Sequence, residues 1–165
     1  MDAEQCQRAR QKAYRLLALR SRSEAELRAR LREGGFEGPA VEAALARCRE
    51  LGYLDDALFA RQRARTLAVN RLWGDRRIAA DLREKGISEE LCREAIAAAR
   101  EELSAEEAVE RHLAARMKGG AGFPADERLK ARMVRSLLGK GFSQGLIFNK
   151  LKRTQEDGFH GDDGQ

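Results

Sequence analysis

The sequence has few of the residues that build disulfide frameworks, zinc sites or large aromatic cores. Its 165 residues include three cysteines, Cys6, Cys48 and Cys92, which lie far apart and form no Cys-x-x-Cys pair. Their odd number and wide spacing favour neither a disulfide framework nor a zinc site. We predict that Cys92 is a buried thiol. Aromatic residues make up 5% of the chain against 42% hydrophobic residues, which favours small cores.

Long apolar runs are also missing. No run approaches the roughly 20 residues that a membrane-spanning helix needs. The first residues include Asp2 and Glu4 and no apolar segment, so they do not resemble a secretory signal. We therefore expect a soluble cytoplasmic protein.

Three stretches of the chain share one spacing of apolar residues around a glycine. In residues 75–96, Ile78 and Leu82 lie on one helical face, Gly86 can adopt the left-handed conformation that ends a helix, and Ser88 can cap a second helix. The pattern recurs 51 positions earlier and 55 positions later. The corner residues of the three stretches, to which we assign a structural role, are Gly35, Phe36, Gly86, Ile87, Gly141 and Phe142.

A triplicated corner predicts an all-α fold of three tandem three-helix repeats that form an elongated, curved array. We place the repeats at residues 1–54, 55–103 and 104–153. Residues 119–124 form a Gly-rich link within the third repeat, and residues 154–165 are predicted to be a disordered acidic tail. Within these repeats, the first, fourth and ninth helices are predicted near residues 2–19, 56–72 and 143–153.

The junction between the first two repeats is a separate candidate feature. It contains Gly52, Tyr53, Leu54, Asp55, Asp56 and Phe59. The glycine can end one helix, and either aspartate can cap the next helix. A metal or acid–base pair is the alternative, but adjacent carboxylates at a helix start do not converge on one ion without further ligands.

Basic residues are concentrated in two blocks. Residues 112–153 hold ten Lys or Arg against two acids, and residues 58–87 hold eight against three. Such blocks favour phosphate or an acidic protein surface as partner, although solvated helix faces are the alternative.

A catalytic site cannot be assembled from the sequence, and no cofactor or metal is expected. His112 and His160 are interpreted as surface residues, and Trp73 as a core residue rather than a base-stacking platform. The segment 119–122 lacks the Gly-Lys-Ser/Thr of a phosphate-binding loop. A helix-turn-helix was also considered. However, a corner repeated three times indicates architecture, and a second helix that begins Ser88-Glu89-Glu90 suits a DNA groove poorly.

Several of these motifs together resemble the RecX regulators of bacterial RecA recombinase. The resemblance covers about residues 11–151 and is most specific at the Gly-Tyr-Leu-Asp-Asp junction and the later Lys85-Gly86-Ile87 corner. It implies a non-enzymatic all-helical protein, which binds the RecA filament on DNA and inhibits ATP hydrolysis, strand exchange and coprotease activity. Gly145 and the link at 119–124 depart from the family pattern, so the third repeat could be placed differently.

The resemblance also implies a basic surface that contacts RecA or DNA, single- or double-stranded. By position and charge we assign to it Arg71, Arg76, Arg77, Lys85, Arg128, Lys130, Arg132, Arg135, Lys140, Lys150, Lys152 and Arg153. We expect a monomer. The alternative function is a general DNA-binding helical protein that acts without RecA.

Overall fold

The structure is a computed structural model that describes residues 3–117, 124 and 126–159, with the backbone alone for 154–159. Over these ranges the chain forms nine α-helices, one π-helical segment and no strand, which confirms the predicted all-α fold. No helix in the described ranges is both long and apolar enough to cross a membrane. The elements are α1 Ala3–Leu19, α2 Glu24–Glu33, α3 Gly38–Glu50, α4 Asp56–Arg65, the π-helix Thr66–Asn70, α5 Asp75–Glu84, α6 Glu89–Glu102, α7 Ala105–Arg116, α8 Glu127–Gly139 and α9 Gln144–Phe159.

Contacts divide the chain into two compact units. Unit 1 contains residues 1–63 and 81–95, and unit 2 contains residues 64–80 and 96–165. The middle helices, α4 to α6, contribute residues to both units. The predicted repeat boundaries at 54/55 and 103/104 therefore follow a different division of the chain and stay predictions.

Helix starts in unit 1 are determined by local chemistry. Ser23 accepts a hydrogen bond from the Glu26 backbone N–H while the Glu26 carboxylate accepts one from the Ser23 backbone, so α2 begins with a capping box. Pro39 lies in the first turn of α3, where its missing N–H has no helical partner to lose. Helices α1, α2 and α3 pack on one another around a core of Cys6, Ala9, Ala13, Leu27, Leu31, Ala40, Val41, Ala44, Leu45, Cys48 and Leu54.

The corner between α5 and α6 holds the start of α2 within unit 1. Gly86 has the predicted left-handed conformation, with φ +74°. The Ser23 hydroxyl donates to the Lys85 carbonyl oxygen at 2.5 Å. A Cβ atom on Gly86 would lie closer than 3.0 Å to the Ala25 Cβ. Glycine at this position therefore allows the first turn of α2 to approach the corner.

The fourth helix ends differently from the prediction of one α-helix over residues 56–72. The α-helix stops at Arg65 and a π-helical turn follows over Thr66–Asn70, where the Arg71 N–H donates to the Thr66 carbonyl oxygen. This wider turn buries Leu67 and Ala68. After it, Leu72 adopts φ +51°, which is unusual for a branched residue.

Unit 2 contains a second corner of the same kind. The Gly74 N–H donates to the Lys140 carbonyl oxygen at 2.8 Å, and the Arg76 N–H donates to the Gly141 carbonyl oxygen at 3.3 Å. A Cβ on Gly74 would overlap with the backbone of Gly141 and Phe142. The core of this unit consists of Leu103, Ala108, Val109, Leu113, Met133, Leu137, Phe142 and Ile147.

The ninth helix is longer than predicted. It continues to Phe159 rather than ending at residue 153. The disordered acidic tail at residues 154–165 stays a prediction. The rest of that predicted tail, residues 160–165 with His160, lies outside the described residues, as does most of the predicted link at 119–124.

Candidate functional site

Eleven of the twelve predicted basic residues belong to unit 2, and Lys85 belongs to unit 1. Lys85 is half-buried, and its ammonium lies 3.9 Å from the Glu26 carboxylate. Since its carbonyl also receives the Ser23 hydroxyl, Lys85 has a structural role in the α5–α6 corner. The eleven other residues form the candidate site.

Three arginines form an exposed row on α8, which we call the α8 arginine row: Arg128, Arg132 and Arg135. Their spacing of four and three residues places them on one helical face, while Met133 and Leu137 are buried on the other. Among the described residues, no acidic side chain forms an ion pair with these three arginines within 4.0 Å.

Two other lysines of the set, Lys130 and Lys150, form ion pairs. Lys130 pairs with Glu127 at 3.3 Å on the same helix, and Lys150 pairs with Glu110 of α7. Lys152 and Arg153 are exposed on α9. The sequence shows where the positive charges are. The structure shows which of them form ion pairs within the fold and which remain exposed.

Lys140 lies at the C-terminal end of α8, where the α5 start docks. Its ammonium donates to the Arg71 carbonyl oxygen at 2.8 Å, and its side chain is partly buried. The pKa of Lys140 is lowered, first by burial and then by the positive charges of Arg77, Arg116 and Arg71. These three arginines therefore add positive charge around Lys140.

Arg77 is held by two contacts. Its guanidinium carbon lies 3.9 Å from the centre of the Trp73 ring, and its Nη1 donates to the Gly139 carbonyl oxygen at 3.2 Å. Trp73 was predicted to be a core residue. It is half-buried, and its carbonyl oxygen accepts a hydrogen bond of 2.7 Å from Arg100. Arg76, next to Arg77, is exposed.

His112 is buried, so the interpretation of His112 as a surface residue is wrong. Its side chain is 6% exposed, and its Nε2 lies 3.2 Å from the Ser136 hydroxyl of α8. Burial lowers its pKa, and the positive charges of Lys140 and Arg116 lower it further. The charged neighbours of His112 in the sequence suggested a solvent-facing position, but its helical face packs on α8.

Arg116 was not assigned to the basic surface. It is exposed at the end of α7, and its charge acts on both Lys140 and His112. It lies 24 residues before Lys140 in the chain. Only the packing of α7 and α8 brings Arg116 and Lys140 together. No local sequence signal could therefore have linked these two residues.

The predicted junction at residues 52–59 lies in unit 1. Leu54 and Phe59 are buried, Gly52 has φ +71°, and the exposed Tyr53 meets Tyr14 edge to face at 5.8 Å. Asp55 accepts from the Leu58 N–H at 2.9 Å, which confirms its capping role.

Asp56 has a different role from Asp55. It accepts from the Glu24 N–H at 2.8 Å, at the start of α2. Burial is the main cause that raises its pKa. In the described part of the chain, no three His, Cys, Asp or Glu side chains form a group that could hold a metal ion.

Comparisons with known proteins identify the family. Family models for the first and second three-helix domains of RecX match residues 9–48 and 55–96. The chain is 37% identical over 136 residues to the regulatory protein RecX of Syntrophotalea carbinolica, covering 82% of this chain and 89% of the relative. It is 38% identical over 146 residues to that of Thermus thermophilus, covering 88% and 92%.

Solved structures of two other proteins resemble this fold. The crystal structure of RecX from Lactobacillus salivarius has a TM-score of 0.78 at 21% identity, covering 94% of this chain and 99% of that one, which shows a shared fold. A second crystal structure, of a regulatory protein RecX, has a TM-score of 0.75 at 25% identity, covering 92% of this chain and 73% of that one. From its sequence relatives and the matched domains, the chain belongs to the RecX family of regulatory proteins.

Proposed function

We propose that this chain binds the RecA filament on DNA and inhibits its ATP hydrolysis, strand exchange and coprotease activity. It would act in the cytoplasm, as a regulator of recombination and repair that catalyses no reaction itself. Membership of the RecX family supports a regulatory role, and the resemblance to RecA regulators supplies the partner.

The α8 arginine row is the observation that carries this proposal. Three exposed guanidinium groups on one face have no acidic partner within ion-pair distance in the described part of the chain. Most other arginines with exposed side chains on the unit 1 helices α2 and α3 are paired, for example Arg30 with Glu33 and Arg47 with Glu50. An unpaired row favours counter-charges on another molecule, and guanidinium forks suit phosphates and carboxylates.

The direct test is the DNA-dependent ATPase of RecA with substoichiometric amounts of the full chain. We expect a lower rate of ATP hydrolysis and a shorter filament lifetime. If neither quantity changes, the proposed function is wrong. If the chain binds bare DNA as tightly as RecA-coated DNA, with strong salt dependence, the alternative of a general DNA-binding protein is favoured instead.

A charge-reversal variant tests the row itself. Arg132→Glu with Arg135→Glu should weaken binding to RecA-coated DNA by roughly five- to thirtyfold, because two exposed cations become anions. The matched control is Lys12→Glu with Arg15→Glu, two exposed cations three residues apart on α1. Both variants should retain their helicity. Equal binding by the row variant and its control would identify the row as a solvated helix face.

A further inference from the structure

Arg100, in the last turn of α6, is an arginine of unit 2 that the basic surface does not include. Its side chain is 14% exposed. Its Nε donates to the Asp75 carboxylate at 2.8 Å, its Nη2 to the Trp73 carbonyl oxygen at 2.7 Å and its Nη1 to the Leu103 carbonyl oxygen at 3.3 Å. Each nitrogen of the guanidinium group therefore already has an acceptor within unit 2.

The segment that Arg100 holds has an unusual backbone. Leu72, directly before Trp73, has φ +51°. A branched residue keeps this conformation only where its surroundings hold it. Hydrogen bonds lie on either side of it, from the Lys140 ammonium to the Arg71 carbonyl oxygen at 2.8 Å and from Arg100 to the Trp73 carbonyl oxygen. Arg100 is therefore one of two cations that fix the chain around Leu72.

The same segment carries the cations at the start of α5. Arg76 and Arg77 directly follow Asp75, which is the ion-pair partner of Arg100. The Arg77 guanidinium carbon lies 3.9 Å from the centre of the Trp73 ring. The position of that ring depends on the Trp73 backbone, to which Arg100 is bonded. A change at Arg100 should therefore reach the Arg77 guanidinium, although the two arginines lie on different helices.

We propose that Arg100 is a positioning residue for Arg76 and Arg77. It holds residues 72–75 in the conformation that stacks Arg77 on Trp73, and it thereby sets the affinity of these cations for their partner. That this partner is the RecA filament rests on the proposed function. Arginine suits the role because its planar fork donates in several fixed directions, whereas a lysine ammonium is a single point of charge. Cations that are fixed in advance lose less side-chain entropy on binding.

Arg100→Lys is the main variant, since it retains the charge and removes the fork. Trp73, the single tryptophan of the chain, reports on the free protein. Acrylamide should quench Trp73 fluorescence more strongly in the variant, because one face of the ring loses the Arg77 guanidinium. Binding to the RecA filament should weaken roughly three- to tenfold. Both quantities are measured without denaturant, where circular dichroism shows the wild type and the variant to be folded.

The matched control is Arg65→Lys. Arg65 also forms a bidentate pair in unit 2, with two hydrogen bonds of 2.6 Å to Glu102. Both of these side chains are exposed, and within the described structure no hydrogen bond joins either of them to residues 72–75. The control should therefore change neither the quenching of Trp73 nor the affinity for the filament. Equal losses in the control and in Arg100→Lys would overturn the proposal.

A double-mutant cycle shows whether Arg100 acts through Arg77. Arg77→Gln should weaken binding by itself, and adding Arg100→Lys should then cost less affinity than it costs in the wild type. A residue that merely stabilised the fold would give additive losses. Additive losses would therefore contradict a positioning role.

Asp75→Asn is a second variant, for the case that Arg100→Lys loses helicity. Removal of an anion beside a basic surface should tighten binding to a polyanionic filament by charge alone, whereas loss of the Arg100 contact should weaken it. Weaker binding supports the proposal, and tighter or unchanged binding overturns it. The wild-type chain alone decides the proposed function. If it inhibits RecA and Arg100→Lys inhibits RecA equally well, this inference is wrong and the proposed function stands.

Discussion

Alanine at Gly86 and at Gly35 should destabilise the protein by different amounts, although the two backbones are alike. Both glycines have a left-handed conformation, with φ +74° and φ +80°. An L-residue in this conformation costs about 1–2 kcal/mol, and the lost flexibility of the unfolded chain returns about 0.4–1 kcal/mol. The net backbone effect of either substitution is therefore a loss of at most about 1.5 kcal/mol.

The surroundings of the two glycines differ. Nothing lies within 4 Å of a Cβ built on Gly35, whereas a Cβ on Gly86 would approach the Ala25 Cβ more closely than real Cβ atoms do. Ala25 belongs to the first turn of α2, which is fixed by the Ser23 capping box, so the helix must shift. Overpacking of this kind costs about 1–3 kcal/mol. Gly86→Ala should therefore lose about 1–3 kcal/mol more stability than Gly35→Ala.

Urea unfolding followed by far-ultraviolet circular dichroism measures this difference as a shift in midpoint at constant slope. Ala25→Gly provides the control, because it should recover stability in the Gly86→Ala background but not in the wild type. A double-mutant cycle then isolates the contact between the two residues. Equal losses at Gly35 and Gly86, or no coupling between Ala25 and Gly86, would refute the docking of α2 on this corner.

Two further predictions concern unit 2. Gly74→Ala should lower the midpoint of urea unfolding by an amount equivalent to about 2 kcal/mol or more, because its Cβ meets backbone that cannot rotate away. Gly139→Ala, with open space around its Cβ, should be neutral or slightly stabilising. Similar midpoints for the two variants would contradict the close approach of Gly74 to the backbone of Gly141 and Phe142. For His112, the lowered pKa means that the unfolded chain binds the proton more readily. Stability should therefore fall as the pH drops below the ordinary histidine value of about 6.5, and His112→Gln should flatten this fall between about pH 7 and 5. Urea midpoints across that range, measured for both proteins, test the second prediction, and parallel curves would contradict it.

Local chemistry explains why much of the fold could be predicted from the sequence. A serine three residues before a glutamate can satisfy the first N–H groups of a helix, and this pattern forms capping boxes at Ser23 and Ser104. The glycine corners were predictable for the same reason, since left-handed backbone strongly favours glycine. The π-turn at Thr66–Asn70 was not, because Leu67 and Ala68 are buried whether the turn is α or π.

The candidate site was predictable as a set of charges but not as an arrangement. Which cations are neutralised depends on residues far away in the chain, as with Lys150 and Glu110. His112 shows the same limit, because its burial depends on the packing of α7 against α8 and on the hydroxyl of Ser136. Periodicity identifies the buried face of a helix only when the residues on that face are apolar, and histidine next to arginine gives the opposite signal.

Lysine precedes glycine at residues 85 and 140, and at both corners the docked segment bonds to the backbone carbonyl of the lysine. In unit 1 the Lys85 carbonyl receives Ser23, and in unit 2 the Lys140 carbonyl receives the Gly74 N–H. The first corner has Gly34 in this place, and nothing lies within 4 Å of a Cβ on Gly35. The Lys85 ammonium lies 3.9 Å from the Glu26 carboxylate, whereas the Lys140 ammonium donates to the Arg71 carbonyl oxygen. The same Lys-Gly motif therefore places a lysine beside a carboxylate in unit 1 and a lysine bonded to a backbone carbonyl in unit 2.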